Sequence, residues 1–504
     1  MIDLLVVGGG INGAGIARDA AGRGLTTILC EKDDLAAHTS SASTKLIHGG
    51  LRYLEHFEFA MVRKGLIERE ILLRAAPHLI WPLRFIMPHD RGLRPAWLIR
   101  AGLLLYDGLS RRQLLGRSHA VDLRSHIAGV VLQPQFKRGF SYADGWVDDA
   151  RLVVINARDA ADHGARILTR TTCAALQRFA GHWRAHLRRH DGGDEIVEAR
   201  CVVNATGPWA AQFQTTIVGL GSAPPMRLIK GSHIVVRKLF AHDSAYLFQH
   251  ADGRIVFAIP YEADFTLIGT TDVELDGGVD EVAVSPAEVG YLCDAVNRYF
   301  CAKLSPADVV WSYAGVRPLQ QDAHGAAAAV TRDYSLQLDV DGAPLLAVYG
   351  GKLTTYRRLA EESLAMLAPL LGNRHGPWTA DACLPGGDLY GAVPSNRAVL
   401  EFDAWVTTVQ AHYPWLPPVL MQRYARAYGT RLHRLLAGCG KLADLGDEIV
   451  PGMHAREITY LRTTEWAQTA TDILWRRSKR GLHLPADASA TLAAWLLQHP
   501  EMTP

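Results

Sequence analysis

The sequence contains few cysteines, and none of them forms a recognisable pair. Its seven cysteines are spread singly over 504 residues, and no C-x-x-C spacing occurs. This pattern argues against a disulfide framework, a zinc site and an iron–sulfur cluster. Unpaired thiols are typical of proteins in a reducing compartment, and we expect this protein to work in one.

A strong charge of one sign, a long apolar run and a leader segment are also missing. The 53 basic and 51 acidic residues leave a formal net charge of +2, so charge gives no support to a nucleic-acid partner. No run of about 18 apolar residues predicts a transmembrane helix. No basic and apolar leader precedes the first strand, so we expect no signal peptide. A composition with 48% hydrophobic residues is that of a globular protein with two to four domains.

The first thirty-one residues contain a dinucleotide-binding pattern. Residues 3–7 predict a short apolar strand, residues 14–24 an alanine-rich helix and residues 25–30 a second strand. The turn between the first strand and the helix reads G-x-G-x-x-G. This fingerprint is specific only in the order strand, glycine turn, helix, strand and acid, and that order is present here.

Three glycines and one acid in this pattern have separate roles. Gly8 allows the tight turn, Gly10 lets the backbone approach a pyrophosphate, and Gly13 lets the helix pack closely on the strand. The helix N-terminus offers free N–H groups to the phosphates. Glu31, eighteen residues after Gly13, can accept hydrogen bonds from a ribose. The alternative is an ordinary strand–helix–strand unit with a glycine turn.

A dense group of hydroxyl residues follows at 38–45, and it leads into a segment containing His48, Gly49 and Gly50. Hydroxyl groups beside a dinucleotide turn can bond phosphate and ribose, and paired glycines let a flat ring lie against the backbone. The alternative is an N-capping loop followed by a glycine turn.

Residues 81–117 are rich in both arginine and apolar side chains. Seven arginines, Arg91 among them, are spread over this stretch, and it contains an apolar segment at 96–106 that is too short to span a bilayer. Basic residues with Trp, Tyr and Leu are typical of a helix lying in the membrane interface. A core helix with snorkelling arginines explains the same pattern, and the residues alone leave both interpretations open.

Two further glycine turns are candidates for the same site. Residues 201–209 predict a buried strand that runs into the sequence N-A-T-G-P-W, which can close the other side of a dinucleotide site. Residues 344–349 predict a last strand, and the sequence G-G-K-L-T-T then opens a helix. The N–H groups of such a helix start can point at an electron-rich ring edge.

The remaining segments predict one sheet and one helical region. Residues 226–272 alternate apolar residues with Gly and Asp turns, which indicates a mostly antiparallel sheet. Residues 309–319 predict another strand, which ends near Arg317. After about residue 381 the pattern is helical, including a helix predicted at 471–481.

Eight motifs in one order resemble the FAD-dependent glycerol-3-phosphate dehydrogenases, most closely their bacterial aerobic, respiratory form. They occupy residues 8–15, 39–54, 145–151, 204–209, 230–233, 268–272, 315–319 and 350–357. The resemblance covers nearly the whole chain, and a set of this length is far more specific than any single motif.

The resemblance implies an α/β fold of three parts. These are a Rossmann-like FAD-binding domain of the glutathione-reductase and D-amino-acid-oxidase type, a substrate-capping domain with an antiparallel sheet, and a C-terminal helical domain. We expect the first at residues 1–75, 150–210 and 320–372, the second at 76–149 and 211–319, and the third at 380–504.

It also implies that the protein oxidises sn-glycerol 3-phosphate to dihydroxyacetone phosphate with FAD as cofactor. Respiratory members of the family look like monotopic proteins on the cytoplasmic face of the inner membrane that reduce ubiquinone or another membrane quinone. This favours the interfacial interpretation of residues 81–117. A soluble oxidase that uses dioxygen and a non-catalytic flavin-binding redox sensor stay as alternatives. A homodimer and a monomer are both left open, and a nicotinamide enzyme has less support because no second fingerprint appears.

Hydride transfer from a secondary alcohol to flavin N5 needs a proton acceptor, cations for the phosphate and a positive group near the reduced ring. The resemblance implies that Arg52, Arg317 and Lys352 lie near the substrate. We assign Arg52 and Arg317 to the phosphate or a substrate oxygen, and Lys352 to the substrate oxygen or the flavin. His48 is the first candidate for the base, and a structural histidine packed on the flavin is the alternative. His233 is the second candidate.

Further residues complete the predicted site, which includes no metal. Tyr53 and Thr270 are candidates for hydrogen bonds to the substrate. The predicted cofactor-binding residues are Gly8, Gly10, Ile11, Asn12, Gly13, Glu31, Thr39, Ser40, Ser41, Ser43, Leu46, His48, Gly49, Gly50, Ala205, Thr206, Gly207, Trp209, Gly351, Lys352, Leu353 and Thr354.

Overall fold

The computed structural model describes residues 1–90, 94–221, 223–250, 253–275, 277–280, 282–321, 330–331 and 333–500. Arg91, which the sequence places in the basic segment, lies outside these ranges. No helix within them combines the length and the hydropathy needed to cross a membrane.

The described residues form twenty-one strands and thirteen α-helices. The strands are β1 (Ile2–Val7), β2 (Thr27–Cys30), β3 (Leu46–Ile47), β4 (Ile80–His89), β5 (His119–Asp122), β6 (Arg138–Val147), β7 (Arg166–Leu168), β8 (Thr171–Arg178), β9 (Trp183–Arg189), β10 (Asp194–Asn204), β11 (Met226–Arg237), β12 (Ala245–Gln249), β13 (Ile255–Tyr261), β14 (Phe265–Gly269), β15 (Val273–Glu274), β16 (Val309–Gln321), β17 (Val330–Thr331), β18 (Ser335–Asp339), β19 (Leu345–Tyr349), β20 (Glu448–Val450) and β21 (Met453–His454). The helices are α1 (Ile11–Gly22), α2 (Phe59–Ala75), α3 (Ala96–Gly108), α4 (Asp149–Asp162), α5 (Ala210–Thr216), α6 (Pro286–Asn297), α7 (Tyr356–Leu371), α8 (Asn396–Leu400), α9 (Phe402–His412), α10 (Pro418–Tyr428), α11 (Leu432–Leu435), α12 (Ala455–Glu465) and α13 (Ala488–Gln498).

The first sheet is the expected dinucleotide-binding sheet. Its strand order is β18-β19-β10-β1-β2-β7, and the strands from β19 to β7 run parallel. Residues 4–7 of β1 are almost wholly inaccessible to solvent. Leu4 and Val6 pack on helices at one face of the sheet, and Leu5 and Val7 pack on the β8–β9 hairpin at the other. The βαβ unit β1–α1–β2 therefore has the geometry that its glycine turn predicts.

The second sheet is larger and mostly antiparallel, as the sequence predicts. Its order is β17-β16-β11-β14-β13-β12-β4-β6-β3, with β15 beside β11 and β5 beside β6. The pair of β12 and β4 is parallel. The two sheets do not correspond to separate parts of the sequence. The short strand β3 follows β2 of the first sheet along the chain, but it pairs with β6 in the second sheet.

The helices from α8 onward pack around a core of their own, which includes Trp405, Tyr424 and Leu461. Buried ion pairs join this region to the rest of the molecule: Arg151 contacts Glu465, and Arg477 Nη1 lies 2.7 Å from Asp34 Oδ2. The helical character of the C-terminal region is confirmed. The predicted domain boundaries at 75, 149, 210, 319 and 380 stay a prediction.

One local prediction was wrong, and one predicted helix has an irregular form. Residues 81–89 belong to the interfacial segment in the sequence interpretation, but they form most of strand β4, which pairs along its length with β6. The helix predicted at 471–481 is a π-helix over Asp472–Arg477 followed by a 3₁₀ turn over Arg480–Leu482. The Asp472 carboxylate accepts the amides of Gln468 and Thr469 and holds Arg476, which fixes this irregular turn.

Candidate active site

A cavity of about 1610 Å³ lies between the two sheets. It exceeds the roughly 300–1,000 Å³ of an ordinary small-molecule site, so it can hold a dinucleotide together with a small substrate. Most of the predicted site residues line it, including Arg52, Tyr53, His233, Thr270 and Arg317. Gly13, Ser41, Gly49 and Gly50 do not belong to its lining.

The first glycine turn has the close contacts that a dinucleotide fingerprint requires. Gly8 has φ +114°, and a Cβ there would lie 2.5 Å from the carbonyl oxygen of Ala205. A Cβ on Gly13 would lie 1.9 Å from the carbonyl oxygen of Gly8, so only glycine lets α1 start against β1. Gly13 therefore shapes the turn from behind the cavity wall.

Glu31 follows β2 at the edge of the cavity and is almost fully buried. Its carboxylate accepts the amide of Gly9 at 2.6 Å and the amide of Asp33 at 2.9 Å. Burial raises the pKa of Glu31, and these two hydrogen bonds oppose that shift. The carboxylate is thus held facing the place where the fingerprint predicts a ribose.

The hydroxyl loop divides its side chains between two tasks. Thr39 Oγ1 donates to Val316 O at 2.9 Å, Ser41 to His38 O at 3.2 Å, and Ser43 to Asp149 at 2.7 Å, so these three brace the loop. Ser40 Oγ accepts the amide of Ile11 at 3.0 Å, and its own proton stays available to a ligand. Ser41 faces a second cavity of about 420 Å³ behind the loop.

The late glycine turn meets the first one across the cavity. Asn12 Nδ2 donates to Gly350 O at 3.1 Å, and a Cβ on Gly351 would lie 2.7 Å from that nitrogen. Thr354 Oγ1 accepts the amide of His48 at 3.2 Å. The three loops expected around a flavin ring therefore converge in one place.

His48 lines the cavity, and its ring makes no hydrogen bond to any described residue. Burial lowers its pKa, Lys352 and Arg69 lower it further, and Asp144 raises it. The next two glycines face away: a Cβ on Gly49 would lie 2.7 Å from Leu66 Cδ2, and Gly50 has φ +77°. The structure thus explains the glycine pair by packing and backbone conformation.

His233 lies deeper in the wall, on β11. Its Nε2 is 2.9 Å from Thr44 Oγ1, its ring stacks on Tyr313 at 4.8 Å, and its Nδ1 is buried without a hydrogen-bond partner. Burial, with Lys45 and Arg317 nearby, lowers the pKa of His233 to about 3. At that pKa the ring of His233 is a weak base at neutral pH.

The three cations that the sequence assigns to the substrate or flavin line the cavity and are in different states. Lys352 Nζ lies 2.8 Å from Met61 Sδ and 4.2 Å from the centre of the Tyr53 ring. Neither Lys352 nor Arg52 forms an ion pair with a described carboxylate. Arg317 differs, because it pairs with Asp272 and donates to Thr271 O at 3.1 Å. Two of the three cations are free to bind an anion.

Thr270 and Gly231 lie beside Arg317. Thr270 Oγ1 donates to Thr271 O at 3.1 Å, so it can still accept a hydrogen bond from a substrate. A Cβ on Gly231 would lie 2.8 Å from Thr270 Oγ1 and 2.9 Å from Arg317 Nη2. Glycine at position 231 thus keeps the guanidinium accessible.

Part of the cavity wall contains a contact that the sequence does not reveal. Trp209 Nε1 donates to Asp280 Oδ1 at 3.0 Å, and Lys32 Nζ lies 3.3 Å from the same oxygen and 4.1 Å from the Trp209 ring centre. Lys32 follows the Rossmann acid, whereas Asp280 lies in the loop before α6. Nothing in the local sequence around Asp280 signals this partnership.

The residues present fit a bound FAD. The glycine turns leave room for close approach of a ligand to the backbone, and Asn12 Oδ1 is buried without a partner at the point where the turns meet. Glu31, Asp33 and His38 bring ligand atoms within 4.8 Å of one another, but hydrogen bonds within the loop already use them.

A family model described as FAD dependent oxidoreductase matches residues 3–357. The chain is 51% identical to the glycerol-3-phosphate dehydrogenase of Pseudomonas aeruginosa, over 99% of this chain and 96% of that protein. It is 48% identical to the D-erythritol 1-phosphate dehydrogenase of Brucella abortus, over 98% and 97%.

A similar solved structure is that of the glycerol-3-phosphate dehydrogenase from Bacillus halodurans complexed with FAD. It superposes with a TM-score of 0.76 at 25% identity, and the match covers 100% of this chain and 95% of that one. Both sheets and the C-terminal helical region fall inside this match.

Proposed function

Because the chain belongs to the FAD-dependent glycerol-3-phosphate dehydrogenase family, we propose that it oxidises sn-glycerol 3-phosphate to dihydroxyacetone phosphate and passes the electrons to a membrane quinone. The observation that carries the proposal is the pair of unpaired cations, Arg52 and Lys352, in the cavity where the three glycine loops meet. A cation in a partly buried site without a carboxylate is suited to an anionic substrate.

The phosphate is held by Arg52 and Lys352, with Arg317 completing the site from the opposite sheet. Arg52 offers a planar fork of N–H donors, whereas Lys352 acts as a point charge. Asp272 keeps Arg317 oriented, and in this role Arg317 binds the substrate oxygen that becomes the carbonyl.

His48 takes the hydroxyl proton at a ring nitrogen. FAD bound in this cavity supplies the hydride acceptor, its N5 atom. The lowered pKa of His48 keeps the imidazole neutral near pH 7, which is the form that accepts a proton. His233 holds Thr44 and stacks on Tyr313, and in this proposal it shapes the pocket.

Helix α3 and the neighbouring turn rest on the cytoplasmic face of the membrane. Trp97 is 71% exposed and Phe57 78%, and Leu98, Leu104 and Leu105 are exposed as well. Arg94, just before α3, pairs with Glu55, which joins the helix to the turn that carries Arg52. Exposed apolar side chains grouped in this way favour a lipid surface over water.

The quinone reaches the cavity from the same side. Phe57 belongs both to the apolar surface and to the cavity lining, so the mouth opens beside the lipid. A soluble oxidase, the alternative left by the sequence, has no use for this surface. A redox sensor has no use for two free cations in the pocket.

The experiment is an anaerobic titration of the purified holoprotein with glycerol 3-phosphate, followed by addition of a short-chain ubiquinone. Stoichiometric bleaching of the flavin and recovery by quinone are expected. Erythritol 1-phosphate is tested in parallel, since one relative is named for it. If erythritol 1-phosphate bleaches the flavin and glycerol 3-phosphate does not, the substrate assignment is overturned. Rapid reoxidation of the flavin by dioxygen, with release of peroxide, would favour the oxidase.

A further inference from the structure

The buried face of helix α3 makes a polar contact with the loop that carries His48 and Gly49. Leu103 and Tyr106 are the two buried residues that α3 provides. The Tyr106 hydroxyl oxygen lies 2.9 and 3.0 Å from the two carboxylate oxygens of Asp144, and 2.9 Å from the amide nitrogen of Gly49. Burial and Asp144 raise the pKa of Tyr106 well above its ordinary value, so the hydroxyl donates to Asp144 and accepts from Gly49.

Gly49 is held tightly at this point. A Cβ on Gly49 would lie 2.7 Å from Leu66 Cδ2 and 2.9 Å from Tyr106 Oη, and a Cβ on Gly65 would lie 3.1 Å from the Gly49 Cα. Helix α2 therefore supports the peptide on one side and Tyr106 binds it on the other. His48 precedes this peptide directly, so its backbone is fixed by the same contact.

Asp144 is fixed in its turn. It is buried on β6 and pairs with the buried Arg69, which also donates to Ala143 O at 3.3 Å. Asp144 is the acid that acts on His48, whereas Lys352 and Arg69 are the cations that act on it. The charge of Asp144 also acts to raise the pKa of Tyr142 and the pKa of Arg112.

We propose that Tyr106 and Asp144 are positioning residues of the oxidation. Tyr106 fixes the peptide that joins His48 to Gly49 and so sets where the His48 ring lies. Asp144 orients the Tyr106 hydroxyl and places a negative charge near the imidazole. The second role rests on the proposed function of His48 as proton acceptor. The first concerns only the loop, and it can be tested without turnover.

The first experiment replaces Tyr106 with Phe in the holoenzyme. Hydrogen exchange, followed by mass spectrometry, should accelerate at the Gly49 amide because the acceptor is gone. We expect kcat to fall about ten- to a hundred-fold, since a small displacement of a catalytic group costs that much. KM for glycerol 3-phosphate should stay within about two-fold, because Arg52 and Lys352 are untouched.

The matched control is Tyr246→Phe. Tyr246 is as buried as Tyr106, and its hydroxyl donates to Ala128 O at 2.6 Å, away from the cavity. We expect wild-type kcat and Gly49 exchange in this variant. Unchanged kcat and unchanged Gly49 exchange in Tyr106→Phe would overturn the positioning role.

The second experiment uses Asp144→Asn and Asp144→Glu, and it covers the case in which Tyr106→Phe folds poorly. In Asp144→Asn, Lys352 and Arg69 act on His48 without an acid to oppose them, so the pKa of His48 should fall further. The acid limb of kcat/KM, which is the part of the pH profile where activity falls toward low pH, should then move to lower pH. Asp144→Glu should return it toward the wild-type position. An acid limb that does not move in Asp144→Asn would overturn the electrostatic role.

Failure of the proposed function gives a different result. If His48→Asn keeps wild-type activity, His48 is not the proton acceptor, and the electrostatic role of Asp144 is overturned with it. Faster exchange at Gly49 in Tyr106→Phe would still establish that Tyr106 holds the loop.

Discussion

The Lys352 ammonium lies over the Tyr53 ring, 4.2 Å from its centre, and no described carboxylate pairs with it. Lys64 gives a direct comparison: its ammonium lies 4.1 Å from the Tyr334 ring centre, but Glu362 and Asp333 lie within 3.6 and 3.9 Å of it. Both lysines lie on tyrosine rings, but only Lys64 has a carboxylate beside it, and only Lys352 lines the cavity.

That difference predicts the effect of removing each ammonium. Lys352→Met should raise KM for glycerol 3-phosphate, because a hydrogen bond from a charged donor to the phosphate is worth about 2 kcal/mol. This corresponds to a loss of about thirty-fold in kcat/KM. Lys64→Met is the control and should change kcat/KM by less than about two-fold. Steady-state kinetics that show equal effects in both variants would contradict the assignment.

Arg317 should behave differently, because its removal leaves the Asp272 carboxylate without its partner beside the anionic substrate. We expect Arg317→Ala to raise KM at least about ten-fold more than the double variant Arg317→Ala/Asp272→Ala, since like charges placed together cost several kcal/mol. Arg166→Ala, which breaks an exposed pair with Glu195 away from the cavity, is the control. Activity and KM at wild-type values in Arg317→Ala would remove Arg317 from the site.

The acid limb of kcat/KM should identify the proton acceptor. Imidazole can accept a proton only in its neutral form, and this form predominates above the pKa. Activity therefore falls as the pH drops through that value. For His48 the limb should lie below 6.5, the ordinary histidine pKa, because burial lowers its pKa. For His233 it would lie near pH 3. His48→Asn should lower kcat by about 10²- to 10⁴-fold, and a limb at or above pH 6.5 would disagree with both assignments.

The apolar surface of α3 should govern binding to lipid. The triple variant Trp97→Ser/Leu104→Ser/Leu105→Ser removes side chains worth about 1 kcal/mol or more each in an apolar environment. Partitioning onto vesicles of phosphatidylethanolamine and phosphatidylglycerol should fall by more than about a hundred-fold in a sedimentation assay.

The control for that experiment removes equally exposed apolar side chains elsewhere. Val419 is 86% exposed and Leu497 83%, and both lie on C-terminal helices. Val419→Ser/Leu497→Ser should partition like the wild type, and all variants should reduce a water-soluble dye at the same rate. Equal loss of partitioning in both sets would mean that α3 has no special role.

The local parts of the site could be predicted from the sequence because the backbone alone determines them. The spacing of Gly8, Gly10 and Gly13 fixes a turn that packs closely on itself, since a Cβ on Gly13 would meet the carbonyl oxygen of Gly8. The antiparallel character of residues 226–272 follows from alternation and short turns. Such patterns act over a few residues, so one sequence contains enough information to recognise them.

Strand β4 was missed because two prolines interrupt its pattern. β4 pairs with β12 only at Phe85 and Ile86, so Pro82 and Pro88 fall outside that short ladder and do not break it. Its arginines made the segment resemble an interfacial helix. Whether such a segment forms a strand or a helix depends on the strands beside it, and the local sequence does not contain those strands.

Contacts between distant residues were also missed. Tyr106 follows Gly49 by 57 residues and precedes Asp144 by 38, and Asp280 meets Trp209 across 71 residues. Each of these residues has an ordinary local sequence. Their roles arise from the way the two sheets face each other, which no spacing rule predicts.

The hydrogen bond from Asn12 to Gly350 joins residues 338 positions apart. A growing polypeptide on the ribosome carries the first glycine turn from its earliest moments, but it lacks the opposite wall until more than two-thirds of translation is complete. Flavin capture therefore belongs to the closing stage of biosynthesis, and truncated products of early termination should emerge without colour.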